Sequence, residues 1–223
     1  MKSRYSLAAA IAATLLIAIP APAKDKVPRT WRATRTTDPV TGVSRCVVSA
    51  LDYVGKTRYT RTGFLYPVIE KHPRHGLLVG VSSGGRFRLP TGTILWRVDE
   101  QPFREVRPED GPMTADMSSA IPAGLTGQDS VAAKAMADAM AVSGRMIMSA
   151  TATSSFAMGD TARAMLAELR GGHGLLFRAK AAAADTGLPE SGMYRVGQIT
   201  KDGLKPVPLD ASLQGALAEC AIE

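Results

Sequence analysis

Cys46 and Cys220 are the only two cysteines of this 223-residue chain, and they stand near opposite ends of everything in it that can pack. In an oxidising compartment an even count reads as a disulfide, and two cysteines allow a single intramolecular pairing. Such a bond fastens the C-terminal segment to an early strand, so the fold must bring its two ends together. In the chain-entropy model, closing so long a loop contributes on the order of 4 to 5 kcal/mol, less whatever strain the native geometry carries. Two free buried thiols or an intermolecular bridge are the alternatives. No C-x-x-C spacing occurs, which argues against a redox-active pair.

The compartment is set by the first 23 residues. Lys2 and Arg4 precede an uncharged run from Leu7 to Ile19, Pro20 breaks the helix, and Ala21-Pro22-Ala23 is a small-x-small cleavage pattern. The run falls short of the roughly 20 residues a spanning helix requires. A cleaved signal peptide over residues 1–23 is therefore expected, with a signal anchor as the rival. Cleavage would leave a periplasmic or secreted protein with no membrane span. No cysteine follows Ala23, which argues against a lipoprotein.

The remaining 200 residues suffice for one domain with its own core. A polar lead-in is expected over 24–44, strand-like around Trp31, followed by a single globular domain over 45–223. The chain carries 27 Lys and Arg against 20 Asp and Glu, a net +7, and the signal segment holds two of the positive charges and no negative one. A surplus of that size suits anionic envelope components, acidic partner surfaces or solubility alone. Aromatic residues make up only 5%, too few for a base-stacking surface, so no specific nucleic-acid partner is expected.

The first half reads as β. The segments CVVSALDYV, TRYTRTGFLYPVI, GLLVGVSS, GRFRLP and TILWRV are short, apolar or alternating, and separated by Gly, Pro and charged clusters. Pro67 and Pro90 each lack a ladder donor and belong at strand ends, bulges or edges. An irregular connection follows over 101–127. From Asp129 to Ser143 the period becomes helical. Val131, Ala132, Ala135, Met136, Ala139, Met140 and Val142 cover one arc, and Ser130, Lys134 and Asp138 the other. That Met-rich face is expected to pack on the sheet, with a partner or membrane groove as the alternative, and Gly144 is expected to end it. A strand is then expected over 145–153. A second helix is expected to start at an Asp160 N-cap, with Ala162, Met165, Leu166 and Leu169 inward. Strands GLLFRAK and MYRVGQI and a closing helix over Leu213 to Cys220 complete the pattern.

Three constellations invite a functional reading. Gly80-Val81-Ser82-Ser83-Gly84 matches the G-x-S-x-G pattern that places a nucleophilic serine on a strand–turn–helix elbow. The residues that follow, GRFRLPTGT, cannot start a helix, and the partner histidine would have to be His173 in a Gly-rich turn. A hairpin turn is the plainer expectation. Glu70, His72 and His75 lie close together, but Pro73 prevents the helix that would set both histidines on one face, and Lys71 and Arg74 oppose a cation. No metal and no cofactor are expected. Lys56, Arg58, Arg61, Lys71, Arg74, Arg86 and Arg88 crowd the β-rich half, and adjacent hairpins could join them into a face that grips phosphate or carboxylate groups. Alternation along strands would equally scatter them over two faces.

The early strand Arg45-Cys46-Val47-Val48, the segment GLLVGVSSGGRFRLPTGTILWRVD and the closing PLDASLQGALAEC together resemble the invasion-associated locus B family of exported proteobacterial proteins. The Ala- and Met-rich region before Gly144 and the single cysteine pair depart from that family. The expected fold is accordingly α+β, a β-rich antiparallel sheet or sandwich with two to three packed helices in the C-terminal half. The resemblance implies an exported, non-catalytic protein associated with envelope or host interaction, with an envelope or host protein as partner. A module binding an anionic envelope ligand through the basic face is the alternative, and a serine hydrolase using the GVSSG segment the third reading.

Overall fold

The computed structural model describes residues 29–55, 64–112, 131–180, 198–200 and 203–223. Its larger sheet takes five antiparallel strands in the order β1-β2-β3-β4-β7, built from β1 (Arg32–Thr37), β2 (Ser44–Ser49), β3 (Phe64–His72), β4 (Gly76–Gly84) and β7 (Ser154–Ala157). A four-stranded sheet, β11-β8-β5-β6, takes β5 (Ile94–Val98), β6 (Arg104–Val106), β8 (Gly174–Ala179) and β11 (Val207–Pro208). β9 (Gln198–Thr200) and β10 (Gly203–Lys205) pair only with each other. Among the described residues four helices complete the fold: α1 (Leu51–Val54), α2 (Val131–Thr151), α3 (Gly159–Gly171) and α4 (Ala211–Glu219). The fold is β-rich α+β, with both sheets antiparallel.

One core joins the two sheets. It combines Val48, Leu65, Ile69, Val79 and Val81 of the larger with Ile94, Trp96, Val98, Leu175 and Phe177 of the smaller. α3 packs against β4 and β7 and contributes Ala162, Met165, Leu166 and Leu169, the i, i+3, i+4, i+7 set its sequence displays. α4 packs on β1 and β2 with Leu213, Ala216 and Leu217. Among the described residues these are the packed helices of the C-terminal half.

β3 and β4 pair over their full lengths, from Phe64 opposite Gly84 to His72 opposite Gly76. Pro67 lies within β3, one residue beyond its last pair with β2, Val68 opposite Ser49. At Pro67 the strand is thus bonded on one side only, where a missing N–H is tolerated.

The strand-like stretch expected around Trp31 is present: Trp31 is buried, its indole N–H donates to Pro208 O at 2.7 Å, and β1 follows it directly. Several other local expectations are corrected. CVVSALDYV is a strand only to Ser49 and then a helical turn, α1. GRFRLP is not a strand, because Gly85 takes a left-handed backbone (φ 103) and Phe87 is left mostly exposed. β6 occupies part of the connection expected to be irregular. Asp160 sits in the first turn of α3, whose N-cap is Met158. MYRVGQI lies mostly outside the described residues; Gln198 and Ile199 enter β9.

The largest correction concerns α2. The helix does not end at Gly144 but continues to Thr151, replacing the strand expected over 145–153. Met, Ala and Arg are strong helix formers, and one internal glycine costs only about 1 kcal/mol. Nor do its described apolar side chains pack on the sheet. Met136, Met140, Met146 and Ile147 are each more than half exposed.

Candidate functional site

Cys46 of β2 and Cys220, the C-cap of α4, form a disulfide with a Cα separation of 5.4 Å. Their approach follows from α4 lying on β1 and β2. Asp210 caps the helix, its carboxylate accepting from Ser212 N at 2.9 Å and from Thr30 Oγ1 at 2.7 Å. Burial works to raise the Asp210 carboxyl, and the bonds from Ser212 and Thr30 outweigh it and hold it below the usual aspartate range. Beyond the disulfide, three cationic side chains hold carbonyls at and just past the end of α4: Arg35 bonds Glu219 O, Lys71 Nζ reaches Ala221 O at 3.5 Å, and Arg170 donates to Ile222 O at 2.8 Å. Cations at a helix C-terminus also complement its dipole.

The hairpins β1–β2 and β3–β4 turn at the same end of the larger sheet, and an open cleft of 620 Å³ lies between their tips. One wall is the first turn, with Thr36, Thr37, Asp38, Thr41 and Val43; Arg45, His72, Pro73 and Arg74 form the other. The first turn is fixed by Asp38, whose Oδ1 accepts from Val40 N at 2.8 Å and Thr41 N at 3.3 Å. Those bonds, from Val40 first, hold its carboxyl below the usual range.

In the lining of the cleft Arg45 approaches two nearly buried side chains. Its Nε is 3.7 Å from Glu70 Oε1 and its Nη2 is 2.9 Å from His72 Nε2. Burial raises the Glu70 carboxyl above the usual glutamate range, and the Arg45 charge lowers it only in part. His72 Nδ1 accepts from the backbone N–H of Arg74 at 3.2 Å and of His75 at 3.3 Å, so the imidazole braces the tip. Chemically this is an open cleft lined by two guanidinium groups, those of Arg45 and Arg74, and by threonine hydroxyls. Such a set can hold a phosphate or carboxylate group.

The residues singled out in the sequence distribute as follows. Lys71 and Arg74 lie at the β3–β4 tip, whereas Arg86 and Arg88 are exposed beyond the other end of β4, with Arg86 over the Phe87 ring at 5.7 Å. A nine-residue strand spans about 30 Å, so these two pairs do not share one contact. Lys56, Arg58 and Arg61 lie outside the described residues. Glu70, His72 and His75 come together, but among the described residues no group of three or more potential ligands could hold a metal ion.

Ser82 is not in a turn, as expected, but inside β4, paired with Tyr66 of β3 and Ser154 of β7. Its Oγ donates to Thr153 O at 3.4 Å. Both glycines of the motif are explained by packing. A Cβ on Gly80 would lie 2.0 Å from Ser155 O, and one on Gly84 2.9 Å from the Phe64 ring. His173 belongs to a different turn, where Asp99 accepts from its N–H at 2.9 Å and from Gly174 N at 2.8 Å.

Arg45 and the turn Asp38-Pro39-Val40-Thr41-Gly42 were missed in the sequence, because that turn fell within the polar lead-in and its juxtaposition with Pro73-Arg74 is a consequence of sheet register. A comparison with protein-family models, with curated proteins and with solved structures returns no match for this chain.

Proposed function

We propose that this chain is an exported, non-catalytic protein of the periplasm or the secreted fraction, associated with envelope or host interaction, in keeping with its resemblance to the invasion-associated locus B family. The observation that carries this reading is the Cys46–Cys220 disulfide, which joins the two ends of the fold and persists in oxidising compartments. Two further facts are compatible with it. No helix of the described residues is long and apolar enough to cross a membrane, and Ser82 is held in a sheet, away from any strand–turn–helix elbow. Export is tested by N-terminal sequencing of the protein recovered from envelope and medium. A chain beginning at Lys24 is expected, and one that retains Met1 in the cytoplasm overturns the reading.

A second reading has its own observation, the cleft between the two hairpin tips. It assigns the protein a role in binding an anionic envelope ligand, with Arg45 and Arg74 meeting a phosphate or carboxylate group and the threonines donating beside them. Exposed charges are screened over about 8 Å at physiological ionic strength, so retention on anionic envelope material should weaken as salt rises. The variant Arg74→Glu is expected to lose retention at low salt, and Arg86→Glu/Arg88→Glu to keep it. Equal retention of the first variant and the parent at every salt concentration rejects the cleft.

A further inference from the structure

α2 is the least explained element of the fold. A 21-residue helix is about 31 Å long. Helices apolar over most of their circumference are normally buried, because tertiary packing, more than propensity, stabilises them in water. Here Met136 is 61% exposed, Met140 57%, Met146 68% and Ile147 61%, while the next residue past the helix, Ala152, is buried. The helix joins the body at its C-terminal end, where Ala152 O accepts from Thr91 N at 2.8 Å, and no described element covers its exposed apolar side chains.

The exposed residues follow a specific order. Met136, Met140, Ser143, Ile147 and Ala150 are spaced 4, 3, 4 and 3 residues apart, the alternation of a coiled-coil seam. Small residues flank it, Ala139 on one side and Gly144 on the other. The exposed ion pair Lys134–Asp138, at 2.9 Å, lies off the seam on the outer stripe. The pattern is also symmetric about the midpoint between Ala141 and Val142. If a second helix runs antiparallel through that point, Met140 meets Ser143, Met136 meets Ile147, and Ala139 lies near Met146. Large then faces small in the central layers, the small flanks let the backbones approach, and no like charges meet at the seam.

From this self-complementary register the geometry points to a second copy of this chain as the occupant of the face: α2 mediates a two-fold, antiparallel dimer. The two-fold operation makes the contact isologous and closed. Two seams of this length bury on the order of 1,000 Å² in total, near the lower bound for a specific interface, so the dimer should be concentration-dependent. Because each helix is rooted at its C-terminal end, the antiparallel arrangement places the two bodies at opposite ends of the pair.

The test is sedimentation velocity of the purified, oxidised, exported form across a hundredfold range of concentration. A monomer–dimer equilibrium is expected. Met140→Lys/Ile147→Lys should shift the dissociation constant upward by more than tenfold, while the far-UV spectrum and melting of the disulfide-closed body stay unchanged. Orientation is read by mixing singly substituted Met140→Cys and Ser143→Cys proteins under mild oxidation. A mixed cross-linked dimer should dominate, whereas efficient cross-linking of Met140→Cys with itself indicates a parallel pair and overturns the register. A parent that stays monomeric at all concentrations overturns the dimer. So does a monomeric parent that co-sediments through the same two residues with vesicles of phosphatidylglycerol and phosphatidylethanolamine, since the face then serves a membrane.

Discussion

Glu70 is the residue whose surroundings most oppose its chemistry. It sits in β3 between Val47 of β2 and Leu78 of β4, and its carboxyl is raised mainly by burial, with Arg45 as partial relief. A carboxyl raised on folding binds its proton more tightly in the native state, so stability falls as pH climbs from the unfolded-state value, near 4.5, through the folded one. Replacing Glu70 by Gln removes that cost. The variant is expected to be more stable than the parent at pH 7 and equal to it near pH 4, as read from urea unfolding at the two values. A lower stability of the variant at pH 7 would show that the Arg45 pairing outweighs burial.

At the scale of elements, α3 is fastened to the smaller sheet by one ion pair. Arg104 of β6 donates through Nε to both carboxylate oxygens of Glu168, at 3.0 and 3.3 Å, and through Nη2 to Oε1 at 2.5 Å. Only the forked guanidinium can make this contact. The pair holds Arg104 above its ordinary value, the bond from Glu168 first among the causes. Arg104→Ala leaves the mostly buried Glu168 without that partner and is expected to cost about 1 to 3 kcal/mol in denaturant unfolding. Arg104→Lys should recover only part of the loss. The pairing could not be read from the sequence, because Arg104 lies in a connection that looked irregular and becomes a strand only by pairing Trp96 and Ile94 through Arg104 and Val106.

α2 shows the opposite case. Its helical period was legible from Asp129 onward, yet its length and its surroundings were not. The segment RMIMSATAT suits helix and strand alike in a short window, and continuity with the preceding turns decided for helix. Burial depends on whether another element covers the face, and none of those described does.

For the whole molecule the disulfide is the feature with the greatest reach, since it bridges a sequence separation of 174 residues. The unfolded chain without it regains the freedom of that loop, which the chain-entropy model puts on the order of 4 to 5 kcal/mol. Cys46→Ser/Cys220→Ser is therefore expected to lower the melting temperature markedly and to loosen the last turn of α4. A variant melting within a degree of the oxidised parent would show that the bonds from Arg35, Lys71 and Arg170 hold the terminus by themselves.

The sequence alone determined the β-rich α+β class, the strands over GLLVGVSS, TILWRV and GLLFRAK, the inward residues of α3 and the single possible cysteine pairing. These follow from period, turn residues and arithmetic, which act over a few neighbours or admit one solution. The tertiary structure alone decided which hairpin tips adjoin, that Ser82 is held within a ladder, that the described cationic residues Lys71, Arg74, Arg86 and Arg88 divide between two ends of β4, and that no described element covers the exposed side chains of α2. Those depend on register and on which faces meet. A one-residue shift in pairing reverses every side chain of a strand, so contacts between distant segments are set by the packing of the whole core and leave no local signature.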